Sequence, residues 1–298
     1  MTTEPREHLI TVAPGRRTPI RELGDPAGFP VLFHHGTPSS RHQAAPFDKP
    51  ARRHGIRLIA FNRPGYGHTP DTPPSLASVG ADTIMIADAL DLDRFATVGL
   101  SGGGPYALAT ALAAPERVTA VSIAAGIGPW RLALPHDPDD HERHLLARAD
   151  AGDVATALAG FRADLAADQA LLGIADDEAM VDAYFNGVAD SELRWLTPRV
   201  REAWAIDMRE ALTSADGYAR DNVAWGGQWD IEITAIHCPV HLYYGDRDTL
   251  VPEANGRWLA AHLPKATFVS LSEAGHGTAT FAHWDTILAA IRPSSVPE

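Results

Sequence analysis

Ser101 stands in the run Gly99-Leu100-Ser101-Gly102-Gly103, a G-x-S-x-G pattern lying between an apolar strand-like stretch and a helix-like one. A turn tight enough to lift a serine hydroxyl out of a sheet needs neighbours without a Cβ, and Gly99, Gly102, Gly103 and Gly104 supply them. A chain of 298 residues should carry roughly 0.1 chance matches to the bare pattern, so its setting bears most of the weight. A serine hydroxyl is a weak nucleophile at neutral pH and needs a base, with a carboxylate to orient that base. Both follow in the order acid, then base. Residues 240–244 read as a strand and run into Gly245-Asp246-Arg247-Asp248, while residues 267–271 run into Glu273-Ala274-Gly275-His276-Gly277. Acid and base therefore fall just past strand ends, on the sheet edge from which Ser101 emerges. Asp246 and Asp248 share one turn and compete for the acid's place. An oxyanion formed at Ser101 would need one backbone N–H after the nucleophile and another from an early loop. Gly102 and Thr37 are assigned that part, because His35-Gly36-Thr37-Pro38 follows the strand-like residues 31–35.

These groups need a scaffold that brings several strand ends together. Residues 31–35, 57–62, 96–99 and 118–125 read as buried strands, and residues 43–54, 76–90 and 105–114 as helices between them. The last helix carries proline in its first turn, where the missing N–H costs nothing. Residues 7–24 read as a leading pair of strands. Such alternation predicts an α/β fold with a mostly parallel sheet. Residues 130–230 then lack any good strand run and are rich in Ala, Leu, Asp, Glu and Arg. Alternation returns at 240–244, 253–262, 267–271 and 281–291, so a helical block interrupts one sheet domain. The expected organisation is a core domain, 1–128 and 231–298, with a helical cap at 129–230.

Composition narrows the function classes. With Lys+Arg 25 against Asp+Glu 38, the net charge is -13 at pH 7, a field that repels phosphate backbones and anionic lipid. Neither nucleic acid nor a membrane is expected as a partner. The longest uncharged run, 95–115, is interrupted by glycine and proline and is not read as a membrane span. The first residues, MTTEPREHLI, contain no apolar signal region, and a lone Cys238 fits a reducing cytoplasm, which is the expected location. His136, His141 and His144 lie among acids, but their spacing matches no common zinc arrangement, so no metal site is expected.

With these residues in hand, the chain resembles the α/β-hydrolase superfamily, in its esterase, lipase and proline iminopeptidase branch. The resemblance rests on His35-Gly36-Thr37-Pro38, Asn62-Arg63-Pro64-Gly65-Tyr66-Gly67, the turn around Ser101, the G-x-x-D-x-x-x-P from Gly245 to Pro252, and Gly275-His276. It implies the α/β-hydrolase fold: an eight-stranded sheet flanked by helices, a helical cap, and a Ser101–His276–Asp248 triad, with Asp246 left to the turn's own backbone. Dehalogenases and epoxide hydrolases of this fold carry aspartate at the position of Ser101, so those activities are not expected. Proline iminopeptidases commonly show a glycine-rich oxyanion loop and a bulky residue after the serine, unlike Thr37-Pro38-Ser39-Ser40 and Gly102 here.

The block from 129 to 230 holds 20 acids and 9 arginines, which places most of the excess charge there, and five of the seven tryptophans. Solvated helix faces account for the acids, and most of the tryptophans should form the block's own core. Trp130, Tyr184, Trp204 and Trp225 are candidates to wall an apolar pocket above Ser101. His34 and His35, adjacent at a strand end, are expected to be structural supports. The expectation is a cofactor-independent serine hydrolase, monomeric or homodimeric, cleaving a carboxylic ester of a small or medium apolar molecule. An aminopeptidase or amidase, a carbon–carbon bond hydrolase or lyase, and a binding protein on the same fold are the rival readings.

Overall fold

A computed structural model describes residues 6–129, 140–188 and 190–292. Eight strands form one sheet: β1 (Arg6–Ala13), β2 (Arg16–Gly24), β3 (Phe29–His34), β4 (Ile56–Phe61), β5 (Phe95–Leu100), β6 (Val118–Ala124), β7 (Val240–Gly245) and β8 (Ala266–Leu271). Their order is β1-β2-β4-β3-β5-β6-β7-β8. Strands β3 to β8 run parallel, and β2 is antiparallel to both β1 and β4. Six parallel strands put six carboxyl ends on one edge, which is where loops can converge.

The inner parallel strands β3 to β7 are largely buried because both faces of the sheet are covered there, whereas the edge strand β8 exposes Thr267 and Ser270. In β3, Leu32 faces a core shared with helices α2 (Leu76–Ala89) and α3 (Gly104–Ala113). Its neighbours Val31 and Phe33 face the opposite core, shared with α1 (Asp48–Arg53) and α12 (Trp284–Ile291). Phe33 is fully buried with its ring 5.9 Å from both Phe47 and Trp284, which stack on each other at 3.6 Å. Truncating such a side chain to alanine costs ~3–5 kcal/mol.

Two sequence-read helices divide. The segment 43–54 is a 3-10 helix, Arg41–Phe47, followed by α1, with Pro46 and its missing N–H at the junction. The segment 281–291 belongs to α11 (His276–Phe281) and α12. The Trp284 indole N–H donates to the Thr280 carbonyl at 2.8 Å, taking the acceptor that a continuous helix would give to an amide.

Between β6 and β7 the described residues contain no strand. They form α4 (Asp140–Asp150), α5 (Val154–Asp164), α6 (Ala166–Ala170), α7 (Asp177–Tyr184), α8 (Pro198–Ala211) and α9 (Asp216–Gly226). Some of this segment's acids start helices: Asp153 accepts from the Thr156 amide, and Asp176 from the Ala179 amide at 2.8 Å. The insertion's apolar side chains gather in two clusters, one around Met180, Trp195 and Met208 that also takes in Tyr66 and Phe281 of the sheet domain, another around Leu146, Phe161 and Trp225. After it, α10 (Glu253–His262) links β7 to β8. No helix among the described residues is long and apolar enough to cross a membrane.

Candidate active site

The central strand β5 runs directly into Ser101, whose φ of 50° lies in the left-handed region. A non-glycine residue held there carries ~1–3 kcal/mol of strain, which the packing around it must offset. That packing is backbone on backbone. A Cβ on Gly99 would lie 2.8 Å from Gly104 Cα, and one on Gly103 would lie 2.6 Å from the His35 carbonyl oxygen. Only glycines let β5 turn into α3 this tightly.

Two strands away, Asp248 follows β7 with its side chain fully buried. Its Oδ1 accepts the amides of Leu250 at 2.9 Å and Val251 at 2.8 Å, leaving Oδ2 to the His276 Nδ1 at 2.8 Å. An Nδ1–H donated to a carboxylate leaves Nε2 as the basic nitrogen. Asp246 is exposed, so the carboxylate that meets His276 is Asp248. His276 opens α11, and the next residue must be small because Trp195 of the insertion lies on it. A Cβ on Gly277 would come within 2.6 Å of Trp195 Cζ2.

The third loop follows β3. Gly36 donates its amide to Gln43 Oε1 at 2.7 Å, and its carbonyl accepts from Arg63 Nη2 at 2.8 Å. Arg63 also donates to the His35 carbonyl. In a trans peptide the C=O and the following N–H point in opposite directions. Drawing the Gly36 carbonyl toward Arg63 therefore turns the Thr37 N–H the other way, and among the described residues it has no acceptor. Gly102 lies against Thr37: a Cβ there would be 2.9 Å from Thr37 Cβ. The two amides assigned to an oxyanion are thus neighbours.

Arg63 and Asp221 are fully buried and pair directly, with Nε to Oδ2 at 3.1 Å. Asp221 comes from α9 of the insertion and also accepts the hydroxyls of Thr37 at 2.8 Å, Tyr66 at 2.8 Å and Tyr106 at 2.6 Å. Burial alone would raise this carboxyl, but the Arg63 charge and hydrogen bonds bring it below its ordinary range, so it is ionised. Burial, then the Asp221 charge, hold both tyrosines protonated as donors. A second insertion carboxylate, Asp207 on α8, accepts Ser39 Oγ at 2.6 Å, the Ser40 amide at 2.8 Å and Ser40 Oγ at 2.6 Å. Burial pushes it up to about 6 against those hydrogen bonds. His34 and His35 support the strand end from inside the core: His34 meets Thr110 at 3.0 Å, and His35 Nε2 accepts the Arg63 amide at 3.2 Å. Burial and then the Arg63 charge push both imidazoles well below their usual range, which keeps them neutral.

Ser101, His276, Thr37 and Gln43 line one cavity of about 670 Å³. Tyr184, Phe185, Trp195 and Trp204 of the insertion form its far wall with Phe281, and Trp195 stacks on Phe281 at 4.6 Å. Arg247 and Leu250 also line it, and no described lining residue carries a carboxylate. Of the aromatic side chains expected here, Tyr184 and Trp204 reach the cavity. Trp225 packs instead inside the insertion with Leu145, Leu146 and Phe161, because α9 turns that face toward α4 and α5. Trp130 and His136 lie outside the described residues. Phe185, Trp195, Gln43, Asp207 and Asp221 were not assigned from sequence. Phe185 and Trp195 lie in the same aromatic-rich block as the candidates named, but nothing local marks the two buried aspartates among the insertion's acids.

The profile of a family described as alpha/beta hydrolase fold matches residues 30–279. A non-heme chloroperoxidase of Streptomyces lividans is 27% identical over 277 residues, covering 90% of this chain and 92% of that protein. A pimeloyl-[acyl-carrier protein] methyl ester esterase of Nitrosomonas europaea is 27% identical over 223 residues, covering 74% and 78%. The crystal structure of a hydrolase from Pseudomonas aeruginosa superposes with a TM-score of 0.68 at 19% identity, covering 96% of this chain and 98% of that one.

Proposed function

Since this chain belongs to the alpha/beta hydrolase fold family, we propose that it is a serine esterase acting on a carboxylic ester with an apolar acyl or ring portion. The observation that carries the reading is the Asp248–His276 hydrogen bond at 2.8 Å beside a cavity that Ser101 also lines. In this mechanism His276 Nε2 takes the proton of the Ser101 hydroxyl as Oγ attacks the ester carbonyl. The Thr37 and Gly102 amides hold the negative oxygen of the tetrahedral intermediate. His276 then gives its proton to the departing alcohol, and Asp248 keeps the imidazole oriented and balances its charge. A water molecule, activated by the same imidazole, releases the acid from Ser101. No step calls for a cofactor.

Residues 129–230 act as a cap that supplies the apolar wall, and the Tyr184–Trp204 side of the cavity receives the acyl or ring group. An aminopeptidase needs a carboxylate to meet the substrate's free amine, and the described lining residues offer none, which favours the ester. The name of the Nitrosomonas relative, a methyl ester esterase, is consistent with that choice. The test is intact mass after brief exposure to a fluorophosphonate, with peptide mapping. A stoichiometric adduct on Ser101 is expected. Folded protein that hydrolyses esters yet carries its adduct elsewhere, or none, rules the assignment out.

A further inference from the structure

The helical insertion reaches under the catalytic loops as well as over the cavity. Loop 36–40 has three hydroxyl side chains, Thr37, Ser39 and Ser40, and all three donate to insertion carboxylates: Thr37 to Asp221, and Ser39 and Ser40 to Asp207. Neither aspartate lines the cavity. We propose that Asp221 and Asp207 are positioning residues for the reaction, gripping the two ends of loop 36–40 so that the insertion sets where the Thr37 N–H stands.

The chain of contacts is continuous. Asp221 fixes the Arg63 guanidinium, Arg63 draws in the Gly36 carbonyl, and that carbonyl orients the next amide, Thr37 N–H. Asp207 holds Ser39 and Ser40 on the other side of Thr37, so the loop cannot slide along the sheet edge. Buried carboxylates are a poor way to gain stability alone, since apolar replacements of similar volume are often as stable. Their use here is geometric: an oxyanion donor must sit within a few tenths of an ångström of its place to act. Fixed donors must also survive the reaction, and an ionised Asp221 with several donors around it has no freedom to turn.

The proposal rests on the serine esterase reading, so the wild-type enzyme is characterised first, for fluorophosphonate labelling at Ser101 and for p-nitrophenyl butyrate turnover. Failure of both sinks that reading and this one with it. With an active wild type, three variants are compared: Asp221→Asn, Asp207→Asn and the milder Thr37→Val, which removes only the hydroxyl that Asp221 accepts. Each is measured for kcat, KM and inhibition by an alkyl trifluoromethyl ketone, whose adduct with the serine mimics the tetrahedral intermediate. The aspartate variants should lose about 10²-fold in kcat, and Thr37→Val about 10-fold, with KM within about threefold of wild type. Inhibition by the ketone should weaken in step with kcat/KM. If Asp221→Asn does not fold, Thr37→Val carries its half of the test, and if Asp207→Asn does not fold, Ser39→Ala, which removes one hydroxyl that Asp207 accepts, carries the other. Folded variants with wild-type kcat, or with reduced kcat but undiminished ketone affinity, overturn the proposal while leaving the esterase reading intact.

Discussion

Gly102 offers a quantitative test of how the two amides of the proposed oxyanion site, its own and that of Thr37, depend on each other. Its backbone is outside the left-handed region, so alanine is compatible with the local conformation and would ordinarily add ~0.4–1 kcal/mol of stability. The difficulty is Thr37: the new Cβ would lie 2.9 Å from Thr37 Cβ, where ordinary contacts begin at 3.4 Å, and closer still to the hydroxyl. Thr37 must retreat by half an ångström or more, yet its hydroxyl is tied to both Asp221 and Arg63. The backbone carrying its N–H therefore moves. Losing one such donor outright costs ~2.7–4 kcal/mol of transition-state stabilisation, and misplacements near 1 Å cost about 10²-fold. Gly102→Ala should thus lower kcat on p-nitrophenyl butyrate about 10²-fold, or ~2.7 kcal/mol. KM and the melting temperature should change little. The decisive measurement is the same substitution in a Thr37→Gly background, where the obstructing side chain is gone. There alanine should cost no more than about threefold, a coupling well above the usual additivity error. An equal loss in both backgrounds, or full activity in folded Gly102→Ala, would refute the steric argument.

Three further outcomes are expected. Ser101→Gly should abolish turnover while raising stability by up to ~1 kcal/mol in urea unfolding, because the φ of 50° no longer strains a Cβ; a less stable variant would contradict the strained turn. Asp248→Asn should keep its place through the Leu250 and Val251 amides but present the wrong partner to His276 Nδ1, lowering kcat by about 10⁴-fold at pH 7–8, and a loss below tenfold would remove Asp248 from its role. Asp207 titrates near 6 in the folded protein against an ordinary 3.8, so its contribution to stability is present below 3.8 and is lost as pH rises through 6. That gap is worth ~3 kcal/mol, and Asp207→Asn should gain on wild type by up to that amount between pH 4 and pH 7; a stability difference that does not vary with pH would disprove it.

What the sequence makes legible here is what is encoded locally. Glycines flanking Ser101, apolar runs of strand length, and turns beginning with Gly245 and Gly275 each announce themselves within a few residues, and the two turns place Asp248 and His276 within hydrogen-bond distance. The choice between Asp246 and Asp248 depended on the family pattern, since neighbouring acids in one turn differ only in which way the turn points them. Asp221 and Asp207 had no such signal. Their partners lie 184 and 168 residues away at Thr37 and Ser39, and they sit among 20 acids, of which the others with described side chains mostly face water. Trp225 shows the same limit for aromatic side chains. Composition marks the insertion as rich in rings, but only the rotation of α9 decides that Trp225 faces Phe161 and not the cavity.

The attachment of the insertion has a consequence for modular engineering. A helical insertion joined to a sheet at only two points invites exchange at those two junctions. In this chain a cut at those junctions would remove α8 and α9, and with them the two aspartates on which loop 36–40 leans. A chimera that keeps residues 197–230 with the sheet and replaces only the helices before them would preserve that wiring while still renewing the part of the wall carried by Tyr184, Phe185 and Trp195. The structural unit that holds loop 36–40 in place extends past the sheet into the last third of the insertion.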